Sequence, residues 1–267
     1  MDAGTGPAAR TIGTVNWLGL WTLYVREVRR FLKVYMQTVA APVVTTLLFL
    51  AIFLLALGGQ QRVIGAVPYP EFLAPGLVMM AMVQNAFANT SSSLMIAKVQ
   101  GNIVDVLMPP LGPGELVWGF ALGGVTRGLA VGVVVAAVIA VFVPIHVYDF
   151  GLVLFHAAAA SLCLSVLGTI GAIWADKFDH IAAVTNFVVT PLSFLSGTFY
   201  SINFLPAPWR YIALANPFFY MIDGFRYGLT GHADSSLAVG VAVMIATNAA
   251  LIALCHVMFK RGYKLKA

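Results

Sequence analysis

Charged side chains are scarce in this sequence: Asp, Glu, Lys and Arg make up 9% of its 267 residues. Soluble domains carry about 25% charged residues. Here 60% of the residues are hydrophobic and the mean hydropathy is +0.91. The composition therefore excludes an ordinary soluble domain and predicts an integral membrane protein. The net charge of +5 comes without a long basic run or an RNA-type aromatic motif, so we expect no nucleic-acid partner.

The short motifs of nucleotide-binding and hydrolytic sites are also missing. The sequence contains no GxxxxGK[ST] loop, and HExxH, CxxC and GxSxG are absent. Cys163 and Cys255 lie inside apolar runs, so we expect packing residues and no disulfide. His156 and His256 lack further metal ligands at helical spacing, and we expect both to be packing residues. We therefore expect no catalytic residue, metal site or cofactor site in this chain.

Six apolar runs are each long enough to cross a hydrocarbon core, which takes about 20 helical residues. They cover residues 34–57, 72–97, 116–143, 151–175, 181–199 and 237–259. Five of the six contain no Asp, Glu, Lys or Arg. Ion-coupled carriers usually keep an ionisable group near the midplane, so this absence argues against an ion-driven carrier and an intramembrane hydrolase.

The basic residues predict the orientation of the spans. An even number of spans leaves both ends on one side of the membrane. Most Lys and Arg residues outside the spans fall on that side, namely Arg10, Arg26, Arg29, Arg30, Lys33, Lys98, Lys177, Lys260, Arg261, Lys264 and Lys266. The opposite side has Arg62, Arg210 and Arg226. The positive-inside rule then predicts that both termini are cytoplasmic.

The remaining segments complete an all-α integral membrane fold. Residues 1–13 are predicted to be a disordered tail, 34–259 the six-span domain and 260–267 a basic cytoplasmic tail. Residues 14–33 are predicted to be an amphipathic helix in the membrane surface. Its aromatic stripe includes Trp17 and Trp21, and its basic stripe is Arg26, Arg29, Arg30 and Lys33. The alternative is that this segment is the solvated end of the first span.

Two loops stand out. Residues 98–115 predict a cytoplasmic peg: a short helix over 98–107 carrying Asp105, ended by Pro109 and Pro110. A soluble motor could hold this peg. Residues 196–236 are too apolar for water and too short to cross, which predicts outer re-entrant or interfacial helices. Asp223 and Arg226 lie three apart there, a spacing that allows a local salt bridge.

Three features inside the spans are open to more than one interpretation. Pro191 interrupts the fifth span and marks a hinge or a lining position. Gly124, Gly128 and Gly132 form a repeated GxxxG that predicts close helix packing within the chain. Arg127, about three turns into the third span, could hold an anionic headgroup or substrate. Its structural alternative is snorkelling to the inner interface, or pairing with Asp176 or Glu115.

Taken in order, four segments resemble the membrane subunits of type-two ABC exporters. They are FLAPGLVMM at 72–80, KVQGNIVDVLMP at 98–109, PLSFLSGTFY at 191–200, and LPAPW at 205–209 running on to Asn216, Pro217 and DGFRY at 223–227. The resemblance covers about residues 17–262 and is nearest to small bacterial inner-membrane permeases.

This resemblance implies a mechanism. Two copies of the chain would form the pathway, and each would hold a separate ATP-binding subunit that carries ATP and Mg²⁺. Residues 14–33 would be the connecting helix, and 201–226 the outer re-entrant helices. The coupling helix would be Gln100, Gly101, Asn102, Ile103, Val104, Asp105, Val106 and Leu107. Candidates for the pathway or its gate are Pro191, Phe194, Phe199, Tyr200, Asp223 and Arg226.

The cargo implied by the resemblance is a lipid, glycolipid, polysaccharide or amphipathic drug, moved outward. No aromatic belt can be traced through the spans, which favours a lipid, glycolipid or drug over a sugar polymer. A different class of function, an ATPase-independent channel or scaffold in contact with membrane lipids, stays open as the alternative. The peg separates the two hypotheses, because only a coupled permease requires Asp105 and Leu107 for contact with a soluble partner.

Overall fold

A computed structural model describes residues 13–57 and 63–265 of the chain. Within these ranges the fold is all-α, as predicted, apart from one two-stranded hairpin. The tail predicted to be disordered lies outside the described residues except for Gly13. Arg10, Arg62 and Lys266, three of the basic residues used to predict orientation, also lie outside them.

The elements follow one another in a simple order. The α-helices are α1 (Trp17–Leu32), α2 (Ala41–Leu57), α3 (Tyr69–Val99), α4 (Ile103–Leu107), α5 (Pro113–Ile139), α6 (Phe150–Trp174), α7 (Phe178–Val184), α8 (Thr190–Leu195), α9 (Ala207–Ala215), α10 (Pro217–Thr230) and α11 (Leu237–Arg261). Strands β1 (Val63–Ile64) and β2 (Val67–Pro68) pair in antiparallel fashion. Two π-turns, Met36–Ala40 and Thr185–Val189, and a 3₁₀ turn, Ile202–Phe204, complete the described chain.

In the described ranges, six stretches are long and apolar enough to cross a membrane. They are Met36–Ala56, Tyr69–Val99, Pro113–Ile139, Phe150–Trp174, Phe178–Leu195 and Leu237–Arg261. Each predicted span matches one of these to within four residues at either end. The fifth ends early because Gly197 turns the chain with a φ of +73°, a conformation that glycine adopts without strain. The prediction of a six-span integral membrane protein is confirmed.

Helix α3 forms the centre of the bundle and packs against α5, α6, α10 and α2. It has the lowest mean hydropathy of the six stretches, 1.2, yet it is the most buried. Its apolar first half, including Phe72 and Met79, lies in the main core. Its second half carries the polar stretch QNAFANTSSS at residues 84–93. A polar stretch at the centre of a membrane bundle must find partners within the protein, because lipid offers none.

Glycines allow α5 to pack closely on its neighbours. A β-carbon at Gly124 would collide with Ser165 of α6, and one at Gly132 would collide with Met82 of α3. At Gly128 the nearest atoms are the hydroxyl of Ser161 and the backbone of Met82. The repeated GxxxG therefore serves packing within the chain, as predicted.

Two spans contain a π-turn placed two residues before a proline. Met36–Ala40 precedes Pro42 in the first span, and Thr185–Val189 precedes Pro191 in the fifth. Proline has no N–H to donate to the carbonyl four residues earlier, and a wider turn accommodates this missing hydrogen bond. The interruption predicted at Pro191 is confirmed, and Pro42 gives the first span the same irregularity.

Candidate functional site

Helix α4 is seated firmly at one end of the bundle, between the end of α3 and the start of α5. Ile103 and Val106 are buried in a core cluster that includes Leu94 and Phe120. Val104 and Met108 point outward, 50% and 76% exposed. Asp105 is exposed as well. The helix thus presents two apolar side chains and a carboxylate on a fixed base, a surface suited to contact with a second protein.

The predicted helix at 98–107 is wrong in its first half. Helix α3 continues to Val99, with Gln100 as its C-cap, and Gly101 and Asn102 form a turn before α4. Gly101 has a φ of +76°, which breaks the helix. Of the eight predicted coupling residues, Ile103, Val104, Asp105, Val106 and Leu107 are therefore helical, and Gln100, Gly101 and Asn102 are not.

Lys98 anchors this end of α3 to the end of α6. Its Nζ donates to the carbonyl oxygens of Ala172, Ile173 and Ala175 at 3.1, 2.8 and 2.5 Å. These oxygens are at the C-terminus of α6, where carbonyls lack helical partners and a cation is favoured. Lys264 adds a second cation, donating to Trp174 O at 3.1 Å and to Asp176 at 2.8 Å. Lys98 and Lys264 therefore join α3 and the segment after α11 to the end of α6, next to α4.

Glu115 ties the other side of the peg to α1. Its carboxylate accepts the backbone N–H of Asn16 at 2.5 Å and also that of Gly112. The Asn16 amide in turn donates to Pro110 O at 3.0 Å. Glu115 is thus occupied at the start of α5 and forms no pair with Arg127.

Helix α1 packs along α5 through a face that differs from the predicted stripes. Its buried residues are Leu23, Glu27 and Phe31, while Trp17 and Trp21 are 71% and 61% exposed. Glu27 is fully buried and accepts from Arg26, Arg30 and Ser93 at 3.2, 3.3 and 2.8 Å. Arg26, Arg29 and Lys33 are exposed. Only the exposed residues are placed to meet a membrane surface.

Arg30 contacts α3, although the sequence placed it in the basic stripe of a helix in the membrane surface. Its guanidinium donates to Asn89 O at 2.6 Å, to Asn89 Oδ1 at 2.9 Å and to Ser92 Oγ at 3.3 Å. Together with the hydrogen bond to Glu27, the guanidinium makes four hydrogen bonds. The arginine therefore links α1 to the polar half of α3.

Arg127 lies midway along α5 and makes neither of the pairings considered from the sequence. Its Nη2 donates to Asn85 Oδ1 of α3 at 3.0 Å. Asp176 pairs instead with Lys264, and Glu115 caps α5. The Arg127 side chain lines a cavity of about 540 Å³ together with Arg30, Gln84 and Asn85. The expectation that Arg127 pairs with Asp176 or Glu115 is therefore wrong.

The sequence is similar to a known family along most of its length. The family model described as ABC-2 type transporter matches residues 19–230. The chain belongs to this family of ABC transporter membrane subunits. It is 36% identical over 251 residues to the inner membrane transport permease YadH of Escherichia coli K12, covering 94% of this chain and 98% of that protein. It is also 25% identical over 244 residues to nodulation protein J of Rhizobium leguminosarum bv. viciae, covering 90% and 92%.

In this ABC-2 permease the predicted gate residues of the fifth span lie against the first span. Phe199 stacks on Phe53 of α2 with ring centres 4.4 Å apart, and on Phe194 at 5.2 Å. Phe49 of α2 lies within 6.1 Å of both Phe194 and Phe199. The Tyr200 hydroxyl donates to Leu195 O at 3.4 Å. An aromatic cluster thus joins α2 to the segment after Pro191, and the sequence alone did not reveal it.

Asp223 and Arg226 do not form the salt bridge that their spacing allowed. Asp223 accepts from Asp234 N at 2.8 Å, and from Ser235 N and Oγ at 3.0 and 2.7 Å. Arg226 is fully buried and donates to Phe72 O at 3.1 Å and Gly197 O at 2.7 Å. Both side chains therefore fasten α10 to other segments. The geometry gives them a structural role, and their part in a gate stays a prediction.

His156 and His256 were both expected to be packing residues, and only one of them is. His156 is buried, with Nδ1 3.0 Å from Leu152 O, whereas His256 is exposed. Cys163 and Cys255 are buried and free, as predicted. Within the described ranges no cluster of three potential metal ligands was found.

Proposed function

We propose that this ABC-2 chain is the permease subunit of an ATP-driven exporter in a bacterial inner membrane. Two copies would form the pathway, and each would bind a separate ATP-binding subunit. The chain itself would not be an enzyme, since ATP and Mg²⁺ would bind to the partner. The observation that carries the proposal is α4, whose exposed Val104, Asp105 and Met108 stand on a buried base. Exposed apolar side chains next to a carboxylate, on an element outside the spans, support contact with a protein partner.

The distribution of charge supports a cytoplasmic location for α4. Most basic residues of the described chain outside the spans lie toward the end of the bundle that carries α4, where α3 and α6 end. Several of them, including Lys98 and Lys264, contact that end directly. By the positive-inside rule this end would face the cytoplasm, with both termini on the same side. A cytosolic ATPase could then reach α4.

The contacts around α4 supply a route for coupling. Closure of two ATP-binding subunits would push on both copies of α4. Because Lys98 and Glu115 tie its flanks to α6 and α1, the push would move whole helices rather than bend a loop. Hydrolysis would release the partner and reset the pathway. Coupling of this kind requires an element with two discrete arrangements, and the π-turns before Pro42 and Pro191 are candidates for it.

The relatives support transport as the general activity. One is named as an inner membrane transport permease and another as a nodulation protein. For this chain we propose a lipid, glycolipid, polysaccharide or amphipathic drug as cargo, carried from the cytoplasmic side or inner leaflet outward. The cluster of Phe49, Phe53, Phe194 and Phe199 is an apolar surface that an acyl chain or aromatic drug could contact.

Purification from the native membrane in mild detergent tests the proposal. We expect the chain to bring down a nucleotide-binding subunit in stoichiometric amount, identified by mass spectrometry, with vanadate-sensitive ATPase activity. A Val104→Asp variant should lose most of that subunit, because it places a charge in an apolar contact. The matched control Val141→Asp alters an exposed valine in the turn just after α5, far from α4, and should retain the subunit. Purification of a folded chain without any ATPase would favour a channel or scaffold instead.

A further inference from the structure

The cavity beside Arg127 has two unlike walls. It occupies about 540 Å³ between the first span, α3 and α5. This volume lies within the range of about 300–1,000 Å³ common to ligand sites. Its polar wall includes Arg30, Gln37, Gln84, Asn85, Ser92 and Arg127. Its other wall includes Phe49, Leu77 and Met80. Such a cavity fits a molecule with one polar and one apolar end.

Arg127 has donors that the protein does not use. A guanidinium carries five N–H groups, and within the described part of the chain only Nη2 has a hydrogen-bond partner, Asn85. Nε is buried and has no hydrogen-bond partner among the described residues. Arg127 is also 14 residues from one end of α5 and 12 from the other, as given by its position between Pro113 and Ile139. A charged side chain this deep in a span is costly and typically marks a functional site.

Among the residues that the structure describes, no carboxylate pairs with Arg127. Glu27 is fully buried and lies against Arg26 and Arg30, at 3.2 and 3.3 Å. No Asp or Glu is found among the residues that line the cavity. One carboxylate therefore faces two arginines of α1, and the guanidinium of Arg127 stays uncompensated. An anion with oxygen acceptors would supply both the charge and the missing hydrogen bonds.

We propose that this cavity binds the anionic head, a phosphate or carboxylate, of an amphiphile from the inner leaflet. Arg127 holds the head, with Gln84 and Asn85 as further polar contacts. The chain of the amphiphile lies along Phe49, Leu77 and Met80. The inference rests on the proposed function, because it narrows the cargo to anionic amphiphiles.

Titration of the delipidated full chain in detergent tests the site by native mass spectrometry. The probes are phosphatidylglycerol, diacylglycerol with the same chains, and inorganic phosphate. We expect phosphatidylglycerol to bind at least tenfold more tightly than either of the others. Arg127→Gln should weaken phosphatidylglycerol binding about tenfold, the loss expected from one charge-assisted hydrogen-bond group, and Arg127→Lys should weaken it less. Neither should change diacylglycerol binding.

The controls separate a lost site from a lost fold. Arg210→Gln removes an exposed arginine of α9 that does not line the cavity and should bind like the original chain. A photoreactive phosphatidylglycerol analogue should label the unaltered chain at Phe49, Leu77 or Met80. This labelling test needs no variant. Unchanged affinity in a folded Arg127→Gln chain, or labelling confined to other segments, would overturn the proposal. If inorganic phosphate bound as tightly as phosphatidylglycerol, the proposal of an amphiphile would be overturned and the ligand would be a soluble anion.

This test is independent of the ATPase. The titration uses the chain purified without added partner, so its outcome does not depend on whether a nucleotide-binding subunit is captured. Lipid binding without any ATPase would count against the proposed function alone. Capture of an ATPase by a chain that binds no phosphatidylglycerol would count against the cavity alone.

Discussion

Arg226 contacts Phe72 twice: its Nε donates to the Phe72 carbonyl at 3.1 Å, and its guanidinium carbon lies 3.7 Å from the centre of the Phe72 ring. The two residues are 154 positions apart in sequence. A third contact, to Gly197 O at 2.7 Å, brings in the segment after the fifth span. One buried cation therefore holds α10, the start of α3 and the end of α8 together.

Replacing this cation should destabilise the protein strongly. Arg226→Met keeps much of the side-chain volume and removes two charge-assisted hydrogen bonds and a cation–π contact. We expect a loss of about 3 kcal/mol, seen as a melting temperature roughly 6–12 °C lower in detergent. Arg210→Met, at an exposed arginine, should change stability by no more than about 0.5 kcal/mol. Similar melting temperatures for the two variants would show that Arg226 does not hold these segments.

Lys98 should stabilise the end of the bundle that carries α4. Lys98→Met removes the cation from three carbonyl oxygens at the C-terminus of α6 and should lower stability by about 1–2 kcal/mol. Thermal unfolding in detergent measures the loss. The comparison is Lys260→Met, an exposed lysine in the last turn of α11. A loss no greater than that of Lys260→Met would contradict the capping role.

The pair of Asp176 and Lys264 should give a contribution to stability that depends on pH. The hydrogen bond from Lys264 lowers the pKa of Asp176, and the same bond raises the pKa of Lys264. A lowered carboxyl pKa stabilises the folded state above the unfolded value of about 3.9, and this is lost as pH falls through the folded value. A raised lysine pKa stabilises below about 10.4, and this is lost as pH rises through the folded value.

The measurement is the melting temperature of Asp176→Asn relative to the original chain across pH. We expect a constant difference between about pH 5 and pH 9 that starts to shrink near pH 4 and disappears only as the pH falls through the lowered pKa of Asp176. In a Lys264→Met background, Asp176→Asn should have a much smaller effect in the neutral range, because Lys264 is the main group that lowers the pKa of Asp176. A difference that persists undiminished into strong acid would mean that the pair is not its source.

Pro191 should be the cause of the π-turn in the fifth span. Pro191→Ala restores an N–H, so the carbonyl of Phe187 gains a donor and the helix can become regular. We expect slower hydrogen exchange across residues 185–195 in this variant. Pro70→Ala is the matched control, because Pro70 lies in the first turn of α3, where an N–H has no helical partner. Unchanged exchange in Pro191→Ala would assign the π-turn to packing instead.

The sequence predicted the features that depend on local pattern. Apolar runs indicated the six spans, and Pro109 and Pro110 indicated the end of the peg helix. The GxxxG spacing correctly predicted close packing of α5, because a glycine surface needs only a neighbouring helix. Each of these depends on residues close together in the chain.

Contacts between residues that are distant in sequence were either not predicted or predicted wrongly. Glu27 lies next to Arg26 and was not singled out in the sequence, yet it is buried against Ser93 and Gly123. The spacing in sequence allowed a salt bridge between Asp223 and Arg226. In the structure Asp223 accepts from Ser235 instead, and Arg226 donates to Phe72 O. The polar stretch at residues 84–93 was the available sign of the cavity beside Arg127, because polar residues at the centre of a span need partners.

The most direct test of the account is a cross-link from α4 to an ATPase in native membranes. Val104→Cys introduces an exposed thiol, and the two native cysteines are buried and free. With a short bifunctional reagent, we expect an adduct to a nucleotide-binding subunit from Val104→Cys and none from Phe204→Cys, which is exposed near the opposite end of the bundle. An adduct from Phe204→Cys alone, or none from Val104→Cys in membranes where the ATPase is present, would contradict the assignment of α4 as the coupling element.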